Sequence, residues 1–478
     1  GVRALGGAIQ VRASSDWVGD AIWATLPAAR AGDLARLPGV AWIEPYQPME
    51  LFNDRSREIM GATQAQSILS GLGTHLYGAG QIIAVADTGL DTGDADNFIK
   101  AYTWGRPGDW SDGVMVDGRP QGGHGTHVAG SALGSGRNSG ANPAAHNYAG
   151  SFAGVAPEAG LIVQSLLTAD GRLATPGDLK QLFIPAHNDG ARIHTNSWGH
   201  AIGDPPTLGG YDSSARYVDE FMWLYPDSLL LFAAGNYGVD WNNNGVIDLD
   251  RMASPATAKN VLSVGAGENN RPPGAGFGGL SNAPWGGPTW YDSITRTYFK
   301  YQTNPIKDDY ISNNPAGLAA FSSRGPTDDG RIKPDIVAPG TDVISSRSHA
   351  DGAGTGWGVY NADYIYNGGT SMATPLTAGA AALVRQYYQE VKGLSEPSAA
   401  LIKATLLNGA RDTAPGQYGT GPTQEIPSTW PNYVAGFGRV DLAGALALGA
   451  GQGLGYWDAR AGLNTGGMMT YTIAITQA

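Results

Sequence analysis

The chain has 478 residues, of which 15% are charged; it holds 71 Gly, 29 Pro and no Cys, and its formal net charge is -12 at pH 7. So few charges with so much Gly and Pro exclude a coiled coil or a charge-rich disordered chain. The acidic balance without a basic stripe excludes a nucleic-acid partner, and the lack of Cys excludes disulfides, thiolate metal sites and redox motifs. No apolar run reaches the length of a membrane span, so no membrane partner is expected.

Residues 1–52 read as a separate stretch. Ala8–Val11 and Ala21–Leu26 alternate like strands, Ala28–Leu37 carries a short helical pattern, and Gly39–Tyr46 reads as a closing strand. From residue 80 strand and helix alternate. Gln81–Ala86 is a continuous apolar run, as in a parallel strand covered on both faces. Similar runs stand at Leu161–Val163, Arg192–Ser197, Leu229–Ala234 and Val261–Ala266, with helical segments Thr175–Asp189 and Asp212–Leu224 between them. This pattern implies an α/β fold, a mostly parallel open sheet whose functional site lies at the carboxyl ends of its strands. A further helix opens at Ser371, with Pro375 in its first turn and an Ala-rich run to Tyr388. Near the end, Met469–Thr476 alternates as a β-strand, and one strand cannot form a domain by itself.

Three short blocks carry chemistry. The first apolar run ends in Asp87-Thr88-Gly89; His124-Gly125-Thr126-His127-Val128-Ala129-Gly130 opens a helix; Gly369-Thr370-Ser371-Met372-Ala373-Thr374-Pro375 opens another. A serine hydroxyl is a poor nucleophile near neutral pH, so an imidazole must take its proton and a carboxylate must hold that imidazole in one tautomer. Asp87, His124 and Ser371 supply that set. Their order excludes an α/β-hydrolase layout, because all eight histidines precede Ser371. His127 competes with His124 as base. The pair is spaced i, i+3 without an intervening Glu, which does not fit the common zinc-protease motif, so His127 reads as a packed core histidine. Each residue also has a plain structural reading, Asp87 as a turn residue and Ser371 as a helix N-cap.

With these blocks, Asn196-Ser197-Trp198-Gly199 and Ala233-Ala234-Gly235-Asn236, the chain resembles the subtilisin-like serine proteases, the subtilases, over roughly residues 55–445. The resemblance implies a subtilisin-like sheet with helices on both faces, preceded by a small α+β pro-segment. It implies catalysis by Asp87, His124 and Ser371, an oxyanion donor at Asn236, and a substrate strand at Ser197, Trp198 and Gly199, although Trp198 also reads as a core aromatic. Three regions follow: 1–52 as the C-terminal part of an inhibitory pro-segment or an ordinary N-terminal subdomain, 53–455 as the catalytic domain, and 456–478 as the start of a further β domain. Self-cleavage is expected near Phe52-Asn53, and Leu51-Phe52 point to a large apolar side chain in the primary pocket. Gly436-Phe437-Gly438-Arg439-Val440-Asp441 resembles the family's closing segment.

One motif stands apart. In Asp240-Trp241-Asn242-Asn243-Asn244-Gly245-Val246-Ile247-Asp248, oxygen-bearing side chains fall at loop positions 1, 3, 5 and 9 with Gly at 6, as in an EF-hand-like calcium loop. Position 12 is Arg251, with Asp250 beside it. A structural calcium on Asp240, Asn242, Asn244, Asp248 and Asp250 is therefore one expectation, and a surface turn is the other. The functional expectation is a secreted serine endopeptidase made as a self-cleaving zymogen, acting on protein or peptide substrates. A catalytically silent module on the same fold, and a serine esterase or peptide ligase, are the alternatives.

Overall fold

The computed structural model describes residues 2–5, 8–15, 19–40, 54–91, 102–103, 115–116, 119–120, 122–167, 173–200, 208–287, 300–447, 453–460 and 462–472. It divides into two units, Gly1–Glu50 and Leu51–Ala478. In the first, β1 (Ala8–Ser15) pairs antiparallel with β2 (Gly19–Thr25), Ala8 opposite Thr25 and Ser15 opposite Gly19. The helical pattern after them becomes one 3-10 turn followed by α1 (Ala31–Ala35). Both expected strands are present and longer than their alternation indicated. The expected closing strand at 39–46 lies almost wholly outside the described residues, as does the 52–53 junction.

The second unit contains, in chain order, α2 (Asp54–Ile59), α3 (Ala62–Gly71), β3 (Ile82–Asp87), β4 (Tyr102–Thr103), β5 (Met115–Val116), β6 (Arg119–Pro120), α4 (His124–Leu133) and β7 (Gly160–Ser165). There follow α5 (Lys180–Asn188), β8 (Ile193–Asn196), α6 (Ser213–Leu224), β9 (Leu229–Ala233), β10 (Leu262–Gly267) and β11 (Ile336–Pro339). The series closes with β12 (Val343–Ser346), β13 (Gly358–Val359), β14 (Tyr364–Asn367), α7 (Thr370–Glu390), α8 (Ala399–Asn408) and α9 (Leu442–Leu446).

Seven strands form one sheet in the order β11-β10-β9-β8-β3-β7-β4, and every neighbouring pair is parallel. Parallel strands buried on both faces require continuous apolar sequence, and Ile83, Val85, Leu229, Leu231 and Val264 are fully buried or nearly so. Each such side chain contributes about 1.5–3 kcal/mol when removed from water. The chain leaves β3 toward β7 and β4 on one side, then returns past it to β8 and runs outward to β11. The strand order therefore reverses beside β3, where an open α/β sheet presents its ligand crevice. Register completes the placement: Ala86 lies opposite Asn196, and Asn196 opposite Phe232, so β3, β8 and β9 end at one edge.

Helix α7 is buried on nearly every side from Met372 to Tyr388. Its run of Ala and Gly suits a helix enclosed all round rather than one with a single apolar stripe. Elsewhere the caps are conventional: Asp212 accepts the Ala215 N–H (3.0 Å) at α6, and Ser398 accepts the Leu401 N–H (3.1 Å) at α8. Such caps are worth roughly 0.5–2 kcal/mol each. The separate β domain expected from 456 has no strand among described residues 456–472, while 473–476 lie outside them. A lone alternating segment has no ladder partner. Here the tail instead docks on the second unit, Tyr456 against Tyr388 (ring centroids 5.0 Å) and Asp458 accepting the Ser398 N–H (3.0 Å).

Candidate active site

Asp87 is the last residue of β3 and is buried; its Oδ1 accepts the Thr88 N–H (2.8 Å) and lies 2.6 Å from His124 Nδ1. That contact assigns the imidazole proton to Nδ1 and leaves the Nε2 lone pair for another group. The Asp87 Oδ2, also buried, has no hydrogen-bond partner among the described residues. His124 opens α4 directly after Gly123, whose φ of 91° turns the chain into the helix. A second tie holds acid and base blocks together, the Gly125 N–H donating to Thr88 Oγ1 (2.9 Å). Gly125 rests against the Gly89 carbonyl so closely that a Cβ there would collide with it. Glycine in this block thus lets the two loops meet.

His127, one turn on, is fully buried and its Nε2 meets the Val343 carbonyl at 3.1 Å. Burial pushes its pKa down to about 3, against a smaller upward pull from that carbonyl. It is a neutral interior residue at ordinary pH, as its sequence context indicates, whereas His124 is the imidazole that meets Asp87.

Ser371 lies in the first turn of α7. Its Oγ donates to the Ser197 carbonyl (3.2 Å), and the Ser197 hydroxyl donates to the Ser371 carbonyl (2.8 Å). The expected hydrogen-bonded line of serine, imidazole and carboxylate is thus present at its Asp87–His124 half, while the serine hydroxyl is turned to Ser197. A hydroxyl rotor takes the nearest acceptor, and catalytic hydrogen bonds commonly tighten only with substrate in place.

Asn236 follows β9, and its Oδ1 accepts both the N–H and the hydroxyl of Thr370, each at 2.9 Å. These two donors fix the amide orientation and turn Nδ2 outward. Gly369 has φ 147°, and a Cβ placed there would stand 3.5 Å from Asn236 Nδ2, 3.5 Å from Ser371 N and 3.6 Å from Ser371 Cβ. Two N–H donors therefore border one small space beside the serine, at the N-terminus of a 21-residue helix whose dipole favours negative charge. Glycine at 369 keeps that space open. Sequence reasoning missed Thr88, Thr370 and Ser323, the last accepting the Tyr237 N–H at 3.2 Å. Their signal was a hydroxyl residue adjoining or pairing with a motif, which is common enough in turns to carry little weight alone.

The cleft has a volume of about 380 Å³ and is lined by Asp87, His124, Leu173, Trp198, Gly199 and Ile365 among others. Trp198 packs edge-on against Phe232 (centroids 5.3 Å), donates from Nε1 to the Ala86 carbonyl (3.0 Å), and also lines the cleft. Beyond Gly199 the edge is taken up by the chain itself, the His200 N–H donating to the Ser254 carbonyl at 2.8 Å.

In the loop 240–250, Asp240 Oδ1 and Asn242 Oδ1 both accept the Asn244 N–H (3.0 and 3.1 Å), Asp240 Oδ2 the Gly245 N–H (2.8 Å) and Asn244 Oδ1 the Val246 N–H (2.8 Å). Asp248 Oδ2 turns to the Trp241 N–H (2.8 Å). Asp240, Asn242 and Asn244 oxygens thus share one turn, and their remaining lone pairs suit a hard cation in part. Asp250 carries a carboxyl raised first by burial and then by Asp328. Among the described residues, no three His, Asp or Glu side chains are arranged to hold a metal ion.

The profile described as "Subtilase family" matches residues 78–425. The chain belongs to the subtilase family. It is similar to tagD of Dictyostelium discoideum, a serine protease/ABC transporter B family protein, 31% identical over 436 residues that cover 77% of this chain and 23% of that protein. It is also similar to the serine protease AprX of Bacillus subtilis (strain 168), 29% identical over 362 residues, 73% of this chain and 66% of AprX. The chain spans about a quarter of the length of its Dictyostelium relatives. Among solved structures it is similar to the prenylagaramide maturation protease PagA, with 21% identity, TM-score 0.48, and coverage of 81% of this chain and 97% of that one. A subtilase-family serine protease domain thus fills most of the second unit, and its α/β fold with a parallel sheet is the one expected from sequence. No helix among the described residues is long and apolar enough to cross a membrane.

Proposed function

We propose that the chain is a serine endopeptidase that cleaves protein or peptide substrates through an acyl-enzyme on Ser371. The observation carrying this reading is the convergence of the Asp87–His124 pair, the Ser371 hydroxyl and the two N–H donors at Gly369 on one sheet edge. In the reaction, Ser371 Oγ bonds to the scissile carbonyl carbon as His124 Nε2 takes its proton. The new oxyanion is held by Asn236 Nδ2 and the Ser371 N–H, while Asp87 stabilises the imidazolium. The C–N bond then breaks, with the proton passing from His124 to the leaving amine. Water, activated by the same imidazole, hydrolyses the ester.

Casein and an ester substrate test this together. Wild type should cleave casein and Ser371→Ala should not. Ester cleavage without casein cleavage would make the protein an esterase, and loss of neither activity in Ser371→Ala would end the assignment.

The finer reading is a secreted enzyme made as a zymogen, its residues 1–52 a pro-segment cut off near Phe52-Asn53. Its support is the compact unit Gly1–Glu50 with its own antiparallel pair. N-terminal sequencing of active protein should find a start near Asn53, and a stable active product still beginning at Gly1 would refute it. Leu173, Trp198 and Ile365 on the cleft wall support an apolar primary side chain; fastest cleavage after Lys or Arg in a peptide panel would refute that. For the loop we propose a structural calcium held by Asp240, Asn242 and Asn244 with Asp248 and Asp250 flanking. Chelator should lower the melting temperature of wild type and leave Asp240→Ala unchanged; no chelator effect on wild type would dismiss the ion.

A further inference from the structure

A second cavity, of about 370 Å³, lies apart from the cleft and shares none of its lining residues. Its walls are mostly apolar, including Ile247, Leu249, Ile332 and Tyr433, and its size falls in the range of about 300–1,000 Å³ usual for ligand pockets. Arg324 also lines it and is only 2% exposed. Among the described residues the Arg324 guanidinium makes no hydrogen bond and no ion pair, and its Nε is fully buried without a partner. A guanidinium presents five donors in a fixed fork matched to a carboxylate, and a buried charge of this kind is ordinarily paired.

Glu425 is the acidic group on the same wall, and it is committed elsewhere. Its Oε1 accepts the Leu318 N–H (2.9 Å) and its Oε2 the Gln417 N–H (3.1 Å), while burial pushes its pKa up to about 7 despite Arg324. Glu425, Tyr418, Tyr301 and Asp248 act on Arg324 through charge, with no hydrogen bond to it. The donors left over ask for an acceptor, and the walls ask for an apolar body.

We infer that this cavity binds a small carboxylate with a compact apolar body, the carboxylate on Arg324 and the hydrocarbon against Leu249, Ile332 and Tyr433. The same chemistry is offered by a branched short-chain fatty acid and by the free carboxyl end of a peptide finishing in an aliphatic residue.

Titration calorimetry on the whole chain, carried out on the Ser371→Ala variant so that no probe is consumed, separates these. The probes are isovalerate, N-acetyl-leucine and the uncharged N-acetyl-leucinamide. At least one carboxylate should bind saturably below about 10 mM, the amide at least about tenfold more weakly. Isovalerate as the tighter probe would mark the fatty acid, and N-acetyl-leucine the peptide end. Arg324→Met removes the charge; Thr429→Trp crowds the exposed rim of the cavity while leaving Arg324 in place, and covers the case in which Arg324→Met does not fold. Each should weaken carboxylate binding at least about tenfold. Binding that treats acid and amide alike, binding undisturbed by Thr429→Trp, or no saturation by either carboxylate would overturn the inference.

Discussion

The two ends of the β10–β11 pair treat buried acid in opposite ways. At the amino end Asp335 accepts from Ser263 N (2.7 Å), Ser263 Oγ (2.8 Å) and Lys333 Nζ (2.7 Å), and Lys403 Nζ lies 3.0 Å away. Burial would raise its pKa, but the two lysines outweigh it and hold it at about 2. At the carboxyl end Glu268 stands beside Asp309 and near Glu425, with Trp285, Gln417 and the Asn314 N–H as donors. Burial there lifts Glu268 well above its ordinary value, Asp309 to about 6 and Glu425 to about 7. The amino end pairs its acid with two lysines; the carboxyl end, where the cleft also opens, holds its acids by hydrogen bonds without an ion pair among the described residues.

This contrast can be broken by variants that should affect one end and spare the other. Ser371→Ala should lower kcat on the order of 10⁶-fold, the loss known for the nucleophile of a subtilisin, while leaving urea unfolding unchanged. A residual activity near wild type would deny Ser371 its role. Asp335→Ala should do the reverse. It strands two lysines in the interior, and breaking such a buried pair costs about 3–5 kcal/mol, with activity per folded molecule preserved; an unaltered urea midpoint would show the amino end is not the stabilising one. Asn236→Ala should cut kcat by roughly 100- to 1000-fold with little change in KM, a magnitude borrowed from a subtilisin. An effect confined to KM would place Asn236 in binding rather than in oxyanion stabilisation.

The smallest effect is in pH. The carboxyls of the acidic cluster bind protons more tightly folded than unfolded, so their contribution is complete below about pH 4 and is lost as pH rises toward about 7. Asp335 has the opposite sign: its contribution is present above its unfolded value near 3.8 and is lost as pH falls toward about 2. Wild-type stability should therefore decline between about pH 4.5 and 7, and Glu268→Gln should flatten that decline. Equal slopes for both proteins in urea melts across that range would refute it.

Sequence made the parallel strands legible because each is a short apolar run, and the candidate catalytic blocks legible because their residue types are so constrained. Boundaries moved by one or two residues: Asp87 closes β3 rather than following it. The strands β11 to β14 were not anticipated, being two to four residues long in a stretch without helices to frame them. The ties from Thr88 and Thr370 were also invisible, since they depend on which loops meet in space. The acidic cluster draws Glu268, Asp309 and Glu425 from three distant segments, and no local pattern announces such a meeting.

Asn236 has one more consequence. Thr370 grips only the carbonyl oxygen of that amide, and no hydrogen bond among the described residues holds its nitrogen. Slow hydrolysis of the side chain to aspartate, the familiar ageing of a thermolabile residue, would keep both threonine contacts and replace a donor with a repelling anion. Under the proposed mechanism, old molecules would remain native by every measure of shape and still fall silent, making the working lifetime shorter than the structural one.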